Sequence, residues 1–196
     1  MLEQHIPAGP HLEFIDSFLK RTVLRLIPNS VSPNSVTVVR FISIPLVIWL
    51  LLTQHYAWGA ALFALGVFTD ALDGAMARTR GQITQWGKIA DPLADKLLIG
   101  STALILVTQY VNIWVAVLIV GIELLLVARA VYRYTHGQTA GANAAGKVKM
   151  VIQSVALLAL FCYVLSGTAV YLTAATWGLY VAIPSALASF FLAPAA

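Results

Sequence analysis

The stretch Asp70-Ala71-Leu72-Asp73-Gly74-Ala75-Met76-Ala77-Arg78, followed by Gly87, Asp91 and Asp95, places four aspartates in one short region. The whole chain has only 8 acidic residues, so half of them crowd together here. The segments around and within this region are strongly apolar. A carboxylate at mid-bilayer costs about 2.5–3.5 kcal/mol on insertion scales, and four together repel one another. Such a cluster calls for cations, and a divalent metal on oxygen ligands suits it.

The surroundings of the cluster set the fold class. The chain has 196 residues, 60% hydrophobic and 10% charged, against about 25% charged in a soluble domain. An integral membrane protein follows. Six apolar segments have the length of about 20 residues that a bilayer requires. They are Val36–Thr53, Ala57–Arg78, Ala90–Gln109, Ile113–Tyr134, Lys147–Leu165 and Thr168–Leu192. Runs this continuous exclude the alternating strands of a membrane barrel. The expected fold is all-α, a six-helix transmembrane bundle, with residues 36–196 as the catalytic domain.

Residues 1–35 form a separate N-terminal segment. Within 11–28, Leu12, Ile15, Leu19, Val23 and Leu26 recur at helical spacing, beside Lys20, Arg21 and Arg25. That pattern predicts an interfacial amphipathic helix or an ordinary helix packed on the protein's own surface. No basic stretch followed by an apolar run and a cleavage site opens the chain, so no cleaved signal peptide is expected.

Charge placement orients the bundle. Arg78, Arg80, Lys88, Arg133, Lys147 and Lys149 lie at links on one side, while Gln54–Tyr56, Tyr110–Asn112 and Ser166–Gly167 are uncharged. Positive links stay in the cytoplasm, so both termini and the acidic cluster should face it, in a multi-pass protein of the cell's inner membrane. Trp58 and Trp114 fall at the opposite interface. The net charge of +4 is modest and suggests no nucleic-acid partner. Cys162, the sole cysteine, should be a buried, inert thiol.

The spacing of the acids carries chemistry. Asp70, Asp73, Gly74 and Ala77 stand at i, i+3, i+4 and i+7, on one helix face. Gly74 and Ala77 leave room beside the two carboxylates. Gly87, Asp91, Ala94 and Asp95 share a face of the next helix if that helix starts early enough. Asp91-Pro92 also suits an N-cap followed by proline at the first helical position, which would make Asp91 a cap only. The two helices follow one another across a short link and should pack as antiparallel neighbours with their acids meeting. Two divalent ions about 3.5–4 Å apart could then clamp both oxygens of a phosphoryl transfer. Magnesium or manganese suits oxygen ligands; zinc does not.

Asp70-x-x-Asp73-Gly74-x-x-Ala77-Arg78, with Gly87-x-x-x-Asp91-x-x-x-Asp95 after eight residues, resembles the signature of the CDP-alcohol phosphotransferase family. The resemblance implies six membrane helices, a homodimer, and transfer of a phosphate-bearing lipid group from a CDP-linked donor to an alcohol with release of CMP. It implies that Asp70, Asp73 and Asp91 hold two metal ions. Asp95 would be the general base, itself touching metal, and Asp73, Gly74, Ala77 and Arg78 would receive the nucleotide. Asn34-Ser-Val-Thr37-Val-Val-Arg40 with Pro45 is similar to the first span of the phosphatidylglycerophosphate synthases, placing Asn34 and Thr37 near the nucleotide. Alternatively these residues form a capping turn plus a snorkelling arginine. Asp91-Pro-Leu-Ala-Asp95-Lys96 and Gly146-Lys147-Val-Lys149-x-x-x-Gln153 resemble the same branch, although Arg129 precedes Ala130 where many members have Arg-Glu.

The branch implies CDP-diacylglycerol as donor, glycerol 3-phosphate as acceptor, and membrane lipids as surroundings. A doubly charged acceptor phosphate calls for cations, for which Arg129, Arg133, Lys147 and Lys149 are candidates. The same positions also fit the ordinary positive-inside rule. A cardiolipin synthase using phosphatidylglycerol is the alternative within the family, and another acceptor alcohol is a further one. A membrane prenyltransferase lacks the Asp-Gly-x-x-Ala-Arg run, and an ion-coupled transporter would favour repeats and mid-bilayer acids. Glu123, deeper in the fourth span, should form a structural ion pair with Arg40 or a neighbour.

Overall fold

The computed structural model describes residues 33–80, 85–136 and 144–191. These form six helices: α1 (Pro33–Leu52), α2 (Tyr56–Arg80), α3 (Gln85–Tyr110), α4 (Ile113–Thr135), α5 (Ala144–Ser166) and α6 (Ala169–Phe191). No strand occurs among the described residues. The N-terminal amphipathic helix expected at 11–28 lies outside them, as does most of the loop after His136.

Each helix has 20–26 residues, so each is at least about 30 Å long at 1.5 Å per residue. Four are apolar enough to cross a bilayer on their own: α1, α4, α5 and α6. The chain is an integral membrane protein. The other two, α2 and α3, have the length but carry the aspartates, which lower their hydropathy.

The uncharged links are tight turns. After α1, Gln54 adopts a left-handed φ of 61°. His55 N–H donates to Leu50 C=O at 2.8 Å and Gln54 N–H to Leu51 C=O at 3.1 Å, a Schellman closure that satisfies the last carbonyls of the helix. The Asn112 side chain accepts from Trp114 N–H at 2.8 Å and so caps α4. Gly167, at φ 69°, serves where only glycine is unstrained.

The bundle is apolar outside as well as inside. Trp58 and Trp114 are 71% and 77% exposed, and Val39, Ile42, Leu124 and Val151 are exposed too. In water such a surface would be a liability; against lipid tails it is at home. Cys162 is also exposed, contrary to the buried thiol expected from its apolar run. In a membrane helix an apolar run says nothing about which face points inward.

Packing is not sequential. α1 lies between α2 and α3 and packs closely on both, whereas α2 and α3 touch each other only lightly. They do touch, but each packs more closely on α1 than on the other. α3 continues onto α4, and α5 pairs with α6 so closely that a Cβ on Gly178 would come within 2.9 Å of Ala156 Cβ. Small residues permit such approaches between membrane helices. The shared core includes Val47, Leu51, Phe63, Leu98, Leu106 and Phe161, with the Phe63 and Phe161 rings 5.6 Å apart.

Candidate active site

One group of buried polar side chains inside this apolar shell lies where α1 meets α2 and α3. Thr37 and Arg40 stand three residues apart on α1, hence on one face, and both are almost wholly buried. Arg40 Nη1 lies 2.9 Å from Asp95 Oδ1 on α3 and 3.7 Å from Asp70 Oδ1 on α2. Thr37 Oγ1 donates to Asp91 Oδ1, one turn before Asp95 on α3. Two α1 side chains thus gather three of the four motif acids from two other helices. A guanidinium buried this deeply must be paired, so the acids fix Arg40 as much as Arg40 fixes them.

α3 begins at Gln85, not Ala90, which makes Asp91 an internal residue of the helix and Pro92 an internal proline. The N-cap role open to Asp91 in the sequence is therefore removed. With the early start, Gly87, Asp91 and Asp95 recur every four residues along one face, and Gly87, Ala94 and Asp95 are buried. α2 is helical through Arg80, so Asp73, Gly74, Ala77 and Arg78 continue the face begun by Asp70. Their side chains lie outside the described set.

Exposure grades across the site. The Asp95 side chain is 9% exposed and the Asp70 side chain 41%. Asp95 is held deep while Asp70 is more exposed. The group lies at the start of α1, the later half of α2 and the start of α3.

The donor set suits a hard cation. Asp70 and Asp95 already share one positively charged nitrogen, and every candidate ligand is a carboxylate oxygen. Among the described residues, no three acidic, histidine or cysteine side chains close on a single metal position; the Asp73 side chain is not among them.

The basic candidates whose side chains are described have different surroundings. Arg129 Nη1 donates to the Phe190 carbonyl of α6, and its guanidinium carbon sits 4.7 Å from the Phe190 ring centre, a cation–π contact. Arg133 is in the last turn of α4, and its buried Nε has no hydrogen-bond partner among the described residues. Lys149 is buried and donates to Glu123 Oε1. Glu123 is thus in a structural ion pair as expected, but with Lys149 and not Arg40. Lys147 is in α5, its side chain outside the described set. Asn34 is half-buried at the start of α1.

Arg40 is the site residue that the sequence left at the margin. The available signal was a charge inside an apolar helix, which defaults to a functional role, three residues from a threonine.

Comparison with known proteins identifies the family. The family model described as CDP-alcohol phosphatidyltransferase matches residues 30–186, which include Thr37, Arg40 and all four acids. A CDP-diacylglycerol–glycerol-3-phosphate 3-phosphatidyltransferase of Bacillus subtilis is 31% identical over 169 residues, covering 77% of this chain and 86% of that protein. A protein of the same name from Pseudomonas fluorescens is 36% identical over 114 residues, covering 55% of this chain and 58% of its own length. A cardiolipin synthase (CMP-forming) of Streptomyces coelicolor is 29% identical over 138 residues, covering 67% and 62%. With the family model spanning most of the chain and all of its acidic motif, the protein belongs to the CDP-alcohol phosphatidyltransferase family.

Proposed function

We propose that this membrane enzyme makes phosphatidylglycerophosphate, transferring the phosphatidyl group of CDP-diacylglycerol to glycerol 3-phosphate. The observation that carries this reading is the gathering of Asp70, Asp91 and Asp95 around Thr37 and Arg40. The names borne by the Bacillus and Pseudomonas relatives supply the substrates.

In this mechanism Asp95 takes the proton from the acceptor hydroxyl. The acceptor oxygen forms a bond to the donor's β-phosphorus, the one bearing diacylglycerol. The bond from that phosphorus to the bridging oxygen breaks, and the oxygen leaves with CMP. Arg40 holds Asp95 in place, with its Nη1 2.9 Å from Asp95 Oδ1. Asp73, Gly74, Ala77 and Arg78 continue the α2 face, and with Asn34 and Thr37 they receive the cytidine nucleotide. Members of the family generally use divalent metal ions. Two magnesium or manganese ions on Asp70, Asp73, Asp91 and Asp95 would supply charge neutralisation at the diphosphate.

The acceptor phosphate is assigned to the basic helix ends. Arg133, with donor capacity left over, leads, and Arg129 and Lys147 are the further candidates. Lys149 joins them only by leaving Glu123. The site faces the cytoplasm at the inner membrane, by the positive-inside rule, and the enzyme works as a homodimer among membrane lipids.

An acceptor panel tests the proposal. Purified protein in nanodiscs is given labelled CDP-diacylglycerol, magnesium, and either glycerol 3-phosphate, phosphatidylglycerol or an inositol phosphate. Metal-dependent CMP release with glycerol 3-phosphate is expected. Release only with phosphatidylglycerol would make the protein a cardiolipin synthase, the reading that the Streptomyces relative's name favours.

A further inference from the structure

A second group of buried polar atoms lies away from the acidic cluster, between α4, α5 and α6. Lys149 donates to Glu123 Oε1. The other carboxylate oxygen, Oε2, is buried with no hydrogen-bond partner among the described residues, and so is Gln153 Nε2. Glu123 is 7% exposed and Gln153 1%. Both residues line one cavity, whose remaining wall is apolar and includes Ile119, Ile122, Ala182 and Ala186. It leaves about 10 Å³ for the centre of a water molecule, close to what a single water needs. α4 and α5 do not approach closely along their length among the described residues. The Lys149–Glu123 bond therefore reaches across a gap.

We infer that one water molecule is bound in this gap, accepting a hydrogen bond from Gln153 Nε2 and donating one to Glu123 Oε2. The chemistry of the walls selects it. The occupant must carry a donor and an acceptor in the smallest possible volume. A second cation is opposed by Lys149 and by Lys96, which lies within electrostatic reach of both Glu123 and Lys149. An anion is opposed by Glu123, and an apolar group would leave both polar atoms unsatisfied. Gln153 lies four residues after Lys149 on the same face of α5. That face thus holds Glu123 through one direct bond and one water-mediated bond, and fixes α4 at its distance from α5. This site is separate from the proposed transfer chemistry and stands without it.

A map of the full-length protein in nanodiscs, at a resolution that shows ordered water, tests the inference directly. Density within hydrogen-bond reach of both Glu123 Oε2 and Gln153 Nε2 is expected. X-ray hydroxyl-radical footprinting should then oxidise Ile119 and Ile122 more than Ile44, which is equally buried but away from the cavity. In Gln153→Leu both signals should be lost. A dry cavity in a map showing ordered water elsewhere would overturn the proposal. So would a direct Gln153–Glu123 bond, or an ion in the gap. The wild-type map decides even if the variant fails to fold.

Discussion

Two buried cations divide the molecule. Arg40 of α1 and Lys149 of α5 both stand in apolar helices, are almost wholly buried, and reach an acid on another helix. Arg40 meets two carboxylates, one of them 41% exposed, with Asp91 held by Thr37 nearby. Lys149 meets one, and neither side chain of that pair exceeds 9% exposure. Among their described contacts, the first group sets three acids against one base and includes a partly exposed carboxylate, whereas the second is a buried pair of one acid and one base with Lys96 in electrostatic reach. An ion pair that is balanced and sealed ties helices together. An arrangement left negative and open can receive a charged ligand.

Six variants test that contrast. The largest effect belongs to Asp95→Asn, expected to lower turnover by about 10²–10⁴-fold, the share of a general base, while CDP-diacylglycerol binding stays measurable. Normal turnover would remove Asp95 from its role. Lys149→Met strands Glu123 and should destabilise the protein by about 3–5 kcal/mol, whereas replacing both partners by leucine should be neutral or stabilise by about 1–4 kcal/mol. Thermal denaturation in detergent reads both. If Lys149 is a tie only, the double variant keeps its KM for glycerol 3-phosphate; a raised KM would place Lys149 in the acceptor pocket.

Arg40→Gln lets the Asp95 carboxylate drift and should lower kcat by about 10²-fold, the cost of a displacement near 1 Å. Arg40→Lys, which keeps the charge, should lose less. Equal kcat in wild type and Arg40→Gln would show the open group to be as structural as the closed one. The smallest effect falls on Thr37→Val. Without the hydroxyl on Asp91, manganese affinity should drop about tenfold, at the low end for a residue supporting a metal ligand. Manganese binding to the substrate-free protein by electron paramagnetic resonance measures it.

Much of this was legible in the chain. Hydropathy marked the six helices, and i, i+3 and i+4 spacing put Asp70 and Asp95 on coherent faces. Such spacing acts within one helix, however, and does not say what stands between two. The position of α1 between α2 and α3 arises from long-range packing, so Arg40 could be seen only as a charge in an apolar run. Asp91 was open to two readings for a local reason: Asp-Pro is a good helix start, and only the helix beginning six residues earlier at Gln85 removes the cap. Glu123 was expected to pair with Arg40 or a neighbour, and Lys149 could not be singled out because the pair joins two different helices. Cys162 was misplaced because lipid and protein interior accept the same side chain.

The position of Arg40 also bears on how the protein enters its membrane. α1 is synthesised before α2 and α3 and carries a cation into the lipid phase ahead of Asp70 and Asp95. Neither α2 nor α3 has, among the described residues, the apolarity to partition alone, and the acids they bring need that cation. These three helices must therefore leave the insertion machinery as one cooperative set. A chain arrested after α1, or one relieved of it, would strand unpaired charge in hydrocarbon.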